Sequence, residues 1–170
     1  FAAAVFTHDA EVIPRSDVQR QMLHQCLLLV PEGEIAAGKK NILFHISDEP
    51  SLDHLEQYRK AREQIADLLE GYVVMDALSN FEFYKTGALT NPIPSNNHID
   101  PFLEANIPGL WTYYCCSQGV DVSNRFIAMP MARTRIIGTQ MWKYGIEGFL
   151  QWGYNFWYSQ YSVEEINPFY

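Results

Sequence analysis

The sequence predicts an α/β fold built around a mainly parallel sheet, and three observations support this. Short apolar runs alternate with longer amphipathic segments, the pattern of strand–helix–strand units. Hydrophobic residues make up 48% of the 170 residues and charged residues 19%, as expected of a globular chain with a core. Two of the apolar runs end at a carboxylate, where α/β folds carry their functional groups.

These units correspond to about half of an eight-stranded (β/α)8 barrel, which typically needs about 250 residues. We therefore expect residues 1–170 to form a single domain, the C-terminal half of a TIM-type barrel with parallel strands and flanking helices. A half-barrel would expose two sheet edges, which could self-associate into a homo-oligomer. The chain begins at Phe1 rather than Met, so we also expect a piece of a larger protein.

The first elements vary in clarity. The sequence does not assign residues 1–40 to particular elements of the barrel, although Ser16 could cap a helix that runs to about Val30. Asn41–Ile46 reads as a buried strand. Ser51 is a good N-cap for the helix that follows, which Gly71 ends, and its apolar stripe consists of Leu52, Leu55, Tyr58, Ile65, Leu68 and Leu69.

The second half repeats this alternation with shorter elements. Tyr72–Met75 is the second predicted strand and ends at Asp76. The sequence favours neither a helix nor a strand over residues 80–86. Residues 91–97, with two prolines and three asparagines, have the composition of a loop. The remaining predicted elements are a helix Pro101–Ala105 capped by Asp100, a strand Leu110–Cys115, a helix Gly138–Tyr144 and a strand Gly148–Trp152.

Bulk properties exclude several classes of function. A net charge of −8, with Lys39-Lys40 as the longest basic run, disfavours nucleic-acid binding. No stretch approaches the roughly 20 apolar residues of a membrane span. The three cysteines include the adjacent pair Cys115-Cys116, which is no disulfide framework and favours a reducing, cytoplasmic compartment over secretion. No zinc-ligand spacing occurs, so we expect neither metal nor cofactor.

The candidate chemistry centres on two adjacent carboxylates. Asp48 and Glu49 follow the strand Asn41–Ile46 and precede Pro50, which starts the helix. Adjacent residues at a strand end point in different directions, so the two carboxylates can do different jobs. Glycosidases use two carboxyl groups, or one together with a group of the substrate. The alternative is a solvated helix start, where acidic residues favour the positive end of the helix.

Three further polar residues could contact a substrate. Asp76 ends the second predicted strand as Asp48 follows the first, and His45 lies within an apolar run, where a satisfied core histidine is the alternative. Arg125 could hold a carboxylate or phosphate. Like Arg133 and Arg135, it could instead tie a loop to acidic residues within the fold.

Aromatic residues at the later strand ends are candidates for stacking on a sugar ring. Aromatic residues make up 14% of the chain, and flat rings near Asp48 and Glu49 would suit the apolar face of a pyranose. Core packing is the alternative for these residues. The candidates are Trp111, Tyr113, Tyr114, Trp152, Tyr154 and Trp157.

Several spaced motifs resemble the domain-of-unknown-function 4091 group, which is associated with glycoside hydrolase family 123. The motifs are Phe44-His45-Ile46-Ser47-Asp48-Glu49-Pro50 with His54-Leu55-Glu56-Gln57-Tyr58, then Asp76-Ala77-Leu78-Ser79-Asn80, Ser123-Asn124-Arg125-Phe126-Ile127-Ala128-Met129-Pro130 and Gly148-Phe149-Leu150-Gln151-Trp152-Gly153-Tyr154-Asn155-Phe156-Trp157. The resemblance covers about residues 41–168.

The resemblance implies a (β/α)8 catalytic domain with β-N-acetylgalactosaminidase-type chemistry. Asp48 would orient the acetamido nitrogen of the substrate, whose own acetamido oxygen would attack the anomeric carbon to give an oxazoline-type intermediate. Glu49 would protonate the leaving oxygen and then deprotonate the incoming water. Substrate contacts would come from the strand-end residues His45, Asp76, Trp111, Tyr113, Arg125, Trp152, Tyr154 and Asn155.

Two other hypotheses stay open. The chain could be a carbohydrate-binding module that kept an aromatic cleft but not the chemistry. It could also be a structural half-barrel fragment that self-associates and has no activity of its own. Dependence of hydrolysis on Asp48 and Glu49 separates the enzyme from both.

Overall fold

The computed structural model describes residues 43–151. Within that range five short strands alternate with helices, in the order β1 (Leu43–Phe44), a 3-10 turn (Leu52–His54), α1 (Leu55–Gln64), β2 (Val73–Ala77), α2 (Glu82–Lys85), β3 (Asn91–Ile93), α3 (Asp100–Glu104), β4 (Trp111–Tyr113), α4 (Met131–Arg135), α5 (Ile137–Tyr144) and β5 (Gly148–Leu150). The predicted helix from Ser16 and the residues Trp152, Tyr154, Asn155 and Trp157 lie outside the described range.

All strand pairs are parallel and follow chain order. The strands β1, β2 and β3 form one sheet, and β4 pairs with β5 in a second. A parallel bridge between Ser95 and Tyr113 joins the end of β3 to β4, and the amide of Asn96 donates to the Tyr113 carbonyl at 2.9 Å. The predicted α/β class with parallel strands is therefore confirmed, and the carboxyl ends of all five strands lie at one edge.

Each face of the strands buries its own apolar cluster. Phe44, Val74 and Leu78 pack with residues of α1 and the turns around it, and we call this the helix-covered face. Met75, Ala77, Ile93 and Tyr113 form a separate cluster on the other side, the inner face. Because side chains alternate along a strand, successive residues of β2 contribute to opposite faces.

Helix α1 is shorter than its sequence pattern predicts. It ends at Gln64, and the chain continues in tighter turns, in which the amides of Ile65 and Leu68 donate to carbonyls three residues back at 3.3 and 3.1 Å. The predicted stripe still reaches the core, since Tyr58, Ile65 and Leu69 are buried. The Ser51 hydroxyl caps no backbone amide and lies 2.9 Å from the His54 ring instead.

The predicted loop at 91–97 is wrong in its first part, because Asn91–Ile93 is the central strand β3. Pro92 removes one ladder donor, but the side-chain amide of Asn91 donates to the Val74 carbonyl at 3.0 Å. The amide of Leu78 also donates to the Ile93 carbonyl at 3.0 Å. Pairing with strands on both sides therefore overrides local turn composition.

Several predicted boundaries also shift. Strand β2 runs through Asp76 to Ala77 instead of ending at Met75, whereas β4 ends at Tyr113, two residues before the predicted end. The helix expected after Asp100 includes that residue, with Ile99 at the N-cap. The helix predicted at 138–144 is confirmed as α5. No helix within 43–151 is long and apolar enough to cross a membrane.

Candidate active site

The segment after β1 brings Glu49 to the carboxyl edge of the strands. Glu49 has φ 44°, a left-handed conformation that is uncommon for residues other than glycine. Its amide donates to the Ala77 carbonyl at 2.9 Å, so the end of β2 fixes the unusual backbone. Both Asp48 and Glu49 are exposed. A left-handed residue held by its surroundings is the kind of local strain found at functional sites.

Tyr113, the last residue of β4, donates a hydrogen bond to Oε1 of Glu49. The two residues are 64 positions apart, so the fold rather than local sequence brings them together. Tyr113 is only 5% exposed. Burial, and next the hydrogen bond and charge of Glu49, raise the pKa of this phenol, so it stays a neutral donor at ordinary pH.

Asp76 differs from Glu49 in its surroundings. It is fully buried within β2, and Oδ1 accepts from the amides of Ile46 and Ser47 at 2.7 and 3.2 Å. Its Oδ2 accepts from the Tyr58 hydroxyl of α1 at 2.5 Å, which places the carboxylate on the helix-covered face. Asp76 therefore anchors the chain immediately before Asp48 and Glu49.

The pKa of Tyr58 is raised well above its usual range, first by burial and then by the charge of Asp76 and their hydrogen bond. The phenol is therefore a neutral donor to a buried carboxylate. His45 joins this group, with its Nδ1 3.6 Å from Oδ1 of Asp76 and its side chain 11% exposed.

The other candidates in the described range divide between the two faces. Trp111 packs against the inner face, where its ring covers Gly148 of β5 so closely that a Cβ there would lie 2.1 Å from Cε2 of the indole. Arg125 is exposed, with its guanidinium 6.0 Å from the centre of the Tyr114 ring, and Tyr114 packs on Phe149. The structure thus brings together Glu49 and Tyr113, and it places Asp76 on the opposite face of the strands from Tyr113.

The motif around Asn124 shapes the loop after β4. The Asn124 side chain is 2% exposed and donates to the carbonyls of Cys115 and Gln118 at 2.8 and 2.7 Å. Arg133 donates to three carbonyls of the same loop, those of Gly119, Val120 and Val122. Arg133 therefore ties the loop through backbone carbonyls, rather than to an acidic side chain as the alternative interpretation expected.

Sequence reasoning missed the serines next to Tyr113. Ser79 and Ser95 follow β2 and β3, and their hydroxyl oxygens lie 2.8 Å apart. Ser95 escaped notice because β3 itself reads as a loop; recognising β3 would have placed Ser95 at a strand end. No group of three or more His, Cys, Asp and Glu side chains in residues 43–151 is arranged to hold a metal ion.

Comparison with protein families decides the class of this site. Residues 5–169 match the family described as Glycoside hydrolase 123, catalytic domain. The chain belongs to this family. A search of curated proteins gave no match. A family 123 catalytic domain acts on carbohydrates, so the exposed carboxylates at the strand edge belong to a glycoside hydrolase domain.

Proposed function

We propose that this domain cleaves terminal N-acetyl-β-hexosaminides, of the N-acetylgalactosaminide type, by a retaining mechanism that uses the substrate's acetamido group. The observation that carries the proposal is the placement of Glu49, exposed and left-handed at the end of β1, with one carboxylate oxygen held by Tyr113. A fixed, accessible carboxyl group with an acidic neighbour is what a substrate-assisted glycosidase needs.

The surroundings of Asp76 favour substrate assistance over a protein nucleophile. A direct double displacement needs a second carboxyl group about 5–5.5 Å from the acid, on the opposite side of the sugar. Asp76 is unsuited to this role because it is fully buried and both its oxygens accept hydrogen bonds. Asp48 directly precedes Glu49 in the chain, and adjacent residues are too close together for their carboxyl groups to face each other across a sugar ring. The acetamido oxygen of the substrate can take the place of the missing nucleophile.

Each residue then has a defined task. Asp48 accepts the hydrogen of the acetamido N–H, which turns the acetamido oxygen toward the anomeric carbon. As that oxygen forms its bond to carbon, Glu49 gives its proton to the departing glycosidic oxygen. Glu49 next takes a proton from water, whose oxygen opens the oxazoline from the other side and restores the β configuration. Proton transfer of this kind contributes typically 10²–10⁴-fold in rate.

Tyr113 directs the Glu49 carboxyl group. Since the phenol engages Oε1, we assign proton transfer to Oε2. The phenol stays neutral because its pKa is raised by burial, so its donation to Oε1 continues while Glu49 cycles between acid and base. The proposed sugar contacts are His45 and Trp111, together with Trp152, Tyr154 and Asn155 beyond the described range.

We further propose that the five strands are consecutive strands of a (β/α)8 barrel. Strands that neighbour one another in chain order, all parallel, are typical of that fold, whereas a doubly wound sheet reverses its order at a switch point. The site then lies at the carboxyl-terminal mouth, where barrel enzymes carry their catalytic residues.

The test is hydrolysis of chromogenic N-acetyl-β-galactosaminide and N-acetyl-β-glucosaminide by the protein and by Glu49→Gln and Asp48→Asn. We expect Glu49→Gln to lower kcat/KM by about 10²–10⁴-fold and Asp48→Asn to slow substrates that depend on the acetamido group. The matched control is Asp53→Asn, an exposed acid in the next turn. Full activity in both site variants would disprove the proposal, and sugar binding without turnover would favour a carbohydrate-binding module.

A further inference from the structure

A line of hydroxyl groups lies next to Tyr113, at the ends of β2 and β3. Ser95 is 2% exposed, and its Oγ lies 2.8 Å from Oγ of Ser79. The Ser95 amide also donates to Oγ of Ser79 at 3.1 Å. A parallel bridge pairs Ser95 with Tyr113, so the two hydroxyls lie near the phenol, and hydrogen bonding with them lowers its pKa against the larger rise from burial. Three neighbouring strand ends therefore contribute one hydroxyl each to a single group.

The line continues to a histidine at the surface. Nδ1 of His98 lies 3.1 Å from Oγ of Ser95. The backbone supports this contact, since the His98 amide donates to the Ser95 carbonyl at 2.9 Å. His98 is exposed, whereas Ser95 is buried. A continuous series of hydrogen-bonding groups thus runs from an exposed imidazole, through two serines and a tyrosine, to Glu49.

The carboxylate end sets the direction of the two bonds made by the Tyr113 phenol. An ionised carboxylate only accepts, so Tyr113 must give its single hydrogen to Glu49. The phenol oxygen can then only accept, which makes a serine hydroxyl its donor. Each serine also has one hydrogen. If Ser79 donates to Tyr113 and Ser95 donates to Ser79, the hydrogen of Ser95 is already used, so in its 3.1 Å contact with Nδ1 of His98 the imidazole is the donor.

We propose that Ser79, Ser95 and His98 are positioning residues that orient the Tyr113 phenol toward Glu49, with His98 carrying a proton on Nδ1. Hydrogen bonds aligned in one direction polarise and strengthen one another. The series acts only through Tyr113 and touches no reacting atom. The inference rests on the proposed function for its effect on catalysis, while the protonated nitrogen of His98 is independent of it.

The first experiment is a double-mutant cycle on kcat with N-acetyl-β-galactosaminide. We expect Ser79→Ala and Ser95→Ala each to lower kcat by about 3- to 30-fold, which lies within the range of coupling between contacting groups, with KM little changed. In a Tyr113→Phe background the same substitutions should change kcat by less than about 2-fold. Ser79→Thr, which keeps the hydroxyl, should restore the rate.

The matched control is Ser123→Ala. Ser123 is equally buried, at 3% exposure, and its hydroxyl accepts from the Asn96 side chain instead of from this series. It should therefore leave kcat unchanged in both backgrounds. Serine substitutions that lower kcat as much with Phe at position 113 as with Tyr would overturn the inference.

The second experiment reads the direction of the series without any substrate. Nitrogen NMR of ¹⁵N-histidine-labelled protein, with His98→Gln to assign the signal, should show Nδ1 of His98 protonated at pH 8 and Nε2 not. Ser95→Ala should remove this preference. A protonated Nε2 with a bare Nδ1 would reverse the series and overturn the inference. If the protein hydrolysed neither substrate, the proposed function would fail, and this measurement would still decide the bonding order.

Discussion

Glu49 and Asp76 are carboxylates at the same edge of neighbouring strands, yet the fold treats them in opposite ways. Asp76 is fully buried on the helix-covered face, where two backbone amides and the Tyr58 phenol donate to it. Glu49 is exposed, and Tyr113 donates to one of its oxygens from the inner face. Each carboxylate has a tyrosine partner, but only Glu49 is accessible to a substrate.

The difference shows how one strand edge separates structure from chemistry. Alternation along the strand sends Asp76 toward α1, where its acceptors are used to hold the backbone at Ile46 and Ser47. That backbone leads into the left-handed turn at Glu49. The buried carboxylate therefore supports the segment that presents the accessible one, and substitutions at the two sites should have different consequences.

The largest expected effect is on stability at Asp76. We predict that Asp76→Ala lowers the free energy of unfolding by about 3–5 kcal/mol, because two partly buried amides and a buried phenol would lose their acceptor. Glu49→Ala should lower it by only about 1–2 kcal/mol, since the site is exposed and the Tyr113 phenol is the group that would lose an acceptor there. Urea denaturation followed by tryptophan fluorescence measures both. Equal losses for the two variants would show that Glu49 is a structural residue like Asp76.

The next effect tests the packing of the inner face. Gly148→Ala should lower the free energy of unfolding by about 1–3 kcal/mol, because its Cβ would overlap the Trp111 ring. Gly138→Ala is the matched control: nothing lies within 4 Å of its Cβ, and it is a helical residue of α5. Gly138→Ala should raise the free energy of unfolding by up to about 1 kcal/mol. A harmless Gly148→Ala would mean that the Trp111 ring is free to move.

How much of this could be predicted from the sequence differs between the two carboxylates. Asp48 and Glu49 are recognisable because an apolar run, two acids and a proline stand next to one another. The role of Asp76 is not recognisable from the sequence, because the local pattern is the same for a strand that ends at Met75 and for one that continues to Ala77. Extending the strand by two residues is what sends this side chain to the helix-covered face.

The same limit explains why the contact between Tyr113 and Glu49 could not be predicted from the sequence. Its position on a strand was predictable, and so was a place near the site, but its partner lies 64 residues away. Strand β3, which lies between β2 and β4, reads as loop because Pro92, Pro94 and two nearby asparagines dominate its composition. Without that strand, the spacing between the ends of β2 and β4 could not be inferred, and Ser79 and Ser95 had no reason to be linked.

A third prediction uses pH to compare the two tyrosines. Burial raises the pKa of both Tyr58 and Tyr113 above the ordinary value of about 10. Their contribution to stability is therefore complete below about pH 10, and it is lost above that pH, where the unfolded chain releases protons that the folded chain keeps. The free energy of unfolding should fall by up to about 1.4 kcal/mol per pH unit for each of them.

Denaturation curves between pH 8 and 11 test this slope. Tyr58→Phe and Tyr113→Phe should each make it shallower, whereas Tyr144→Phe, at an exposed position, should not. If only Tyr58→Phe had an effect, the phenol beside Glu49 would be open to solvent, and the inner face would be less enclosed than the helix-covered one.

The smallest expected effect concerns Arg125. Its guanidinium lies over Tyr114, which packs on Phe149 and directly follows Tyr113. Because side chains of successive residues alternate in direction, we expect Arg125 to lie away from the Glu49 side of β4. Arg125→Ala should lower the free energy of unfolding by about 0.5–1 kcal/mol, the usual size of an exposed cation–π contact. It should change KM for the N-acetylhexosaminide by less than about 2-fold, because a residue on that side would not reach the sugar. Arg125→Lys, which keeps the charge, serves as the comparison. A tenfold rise in KM with Ala but not with Lys would show that a cation at this position reaches the substrate, and the site would then extend beyond the inner face.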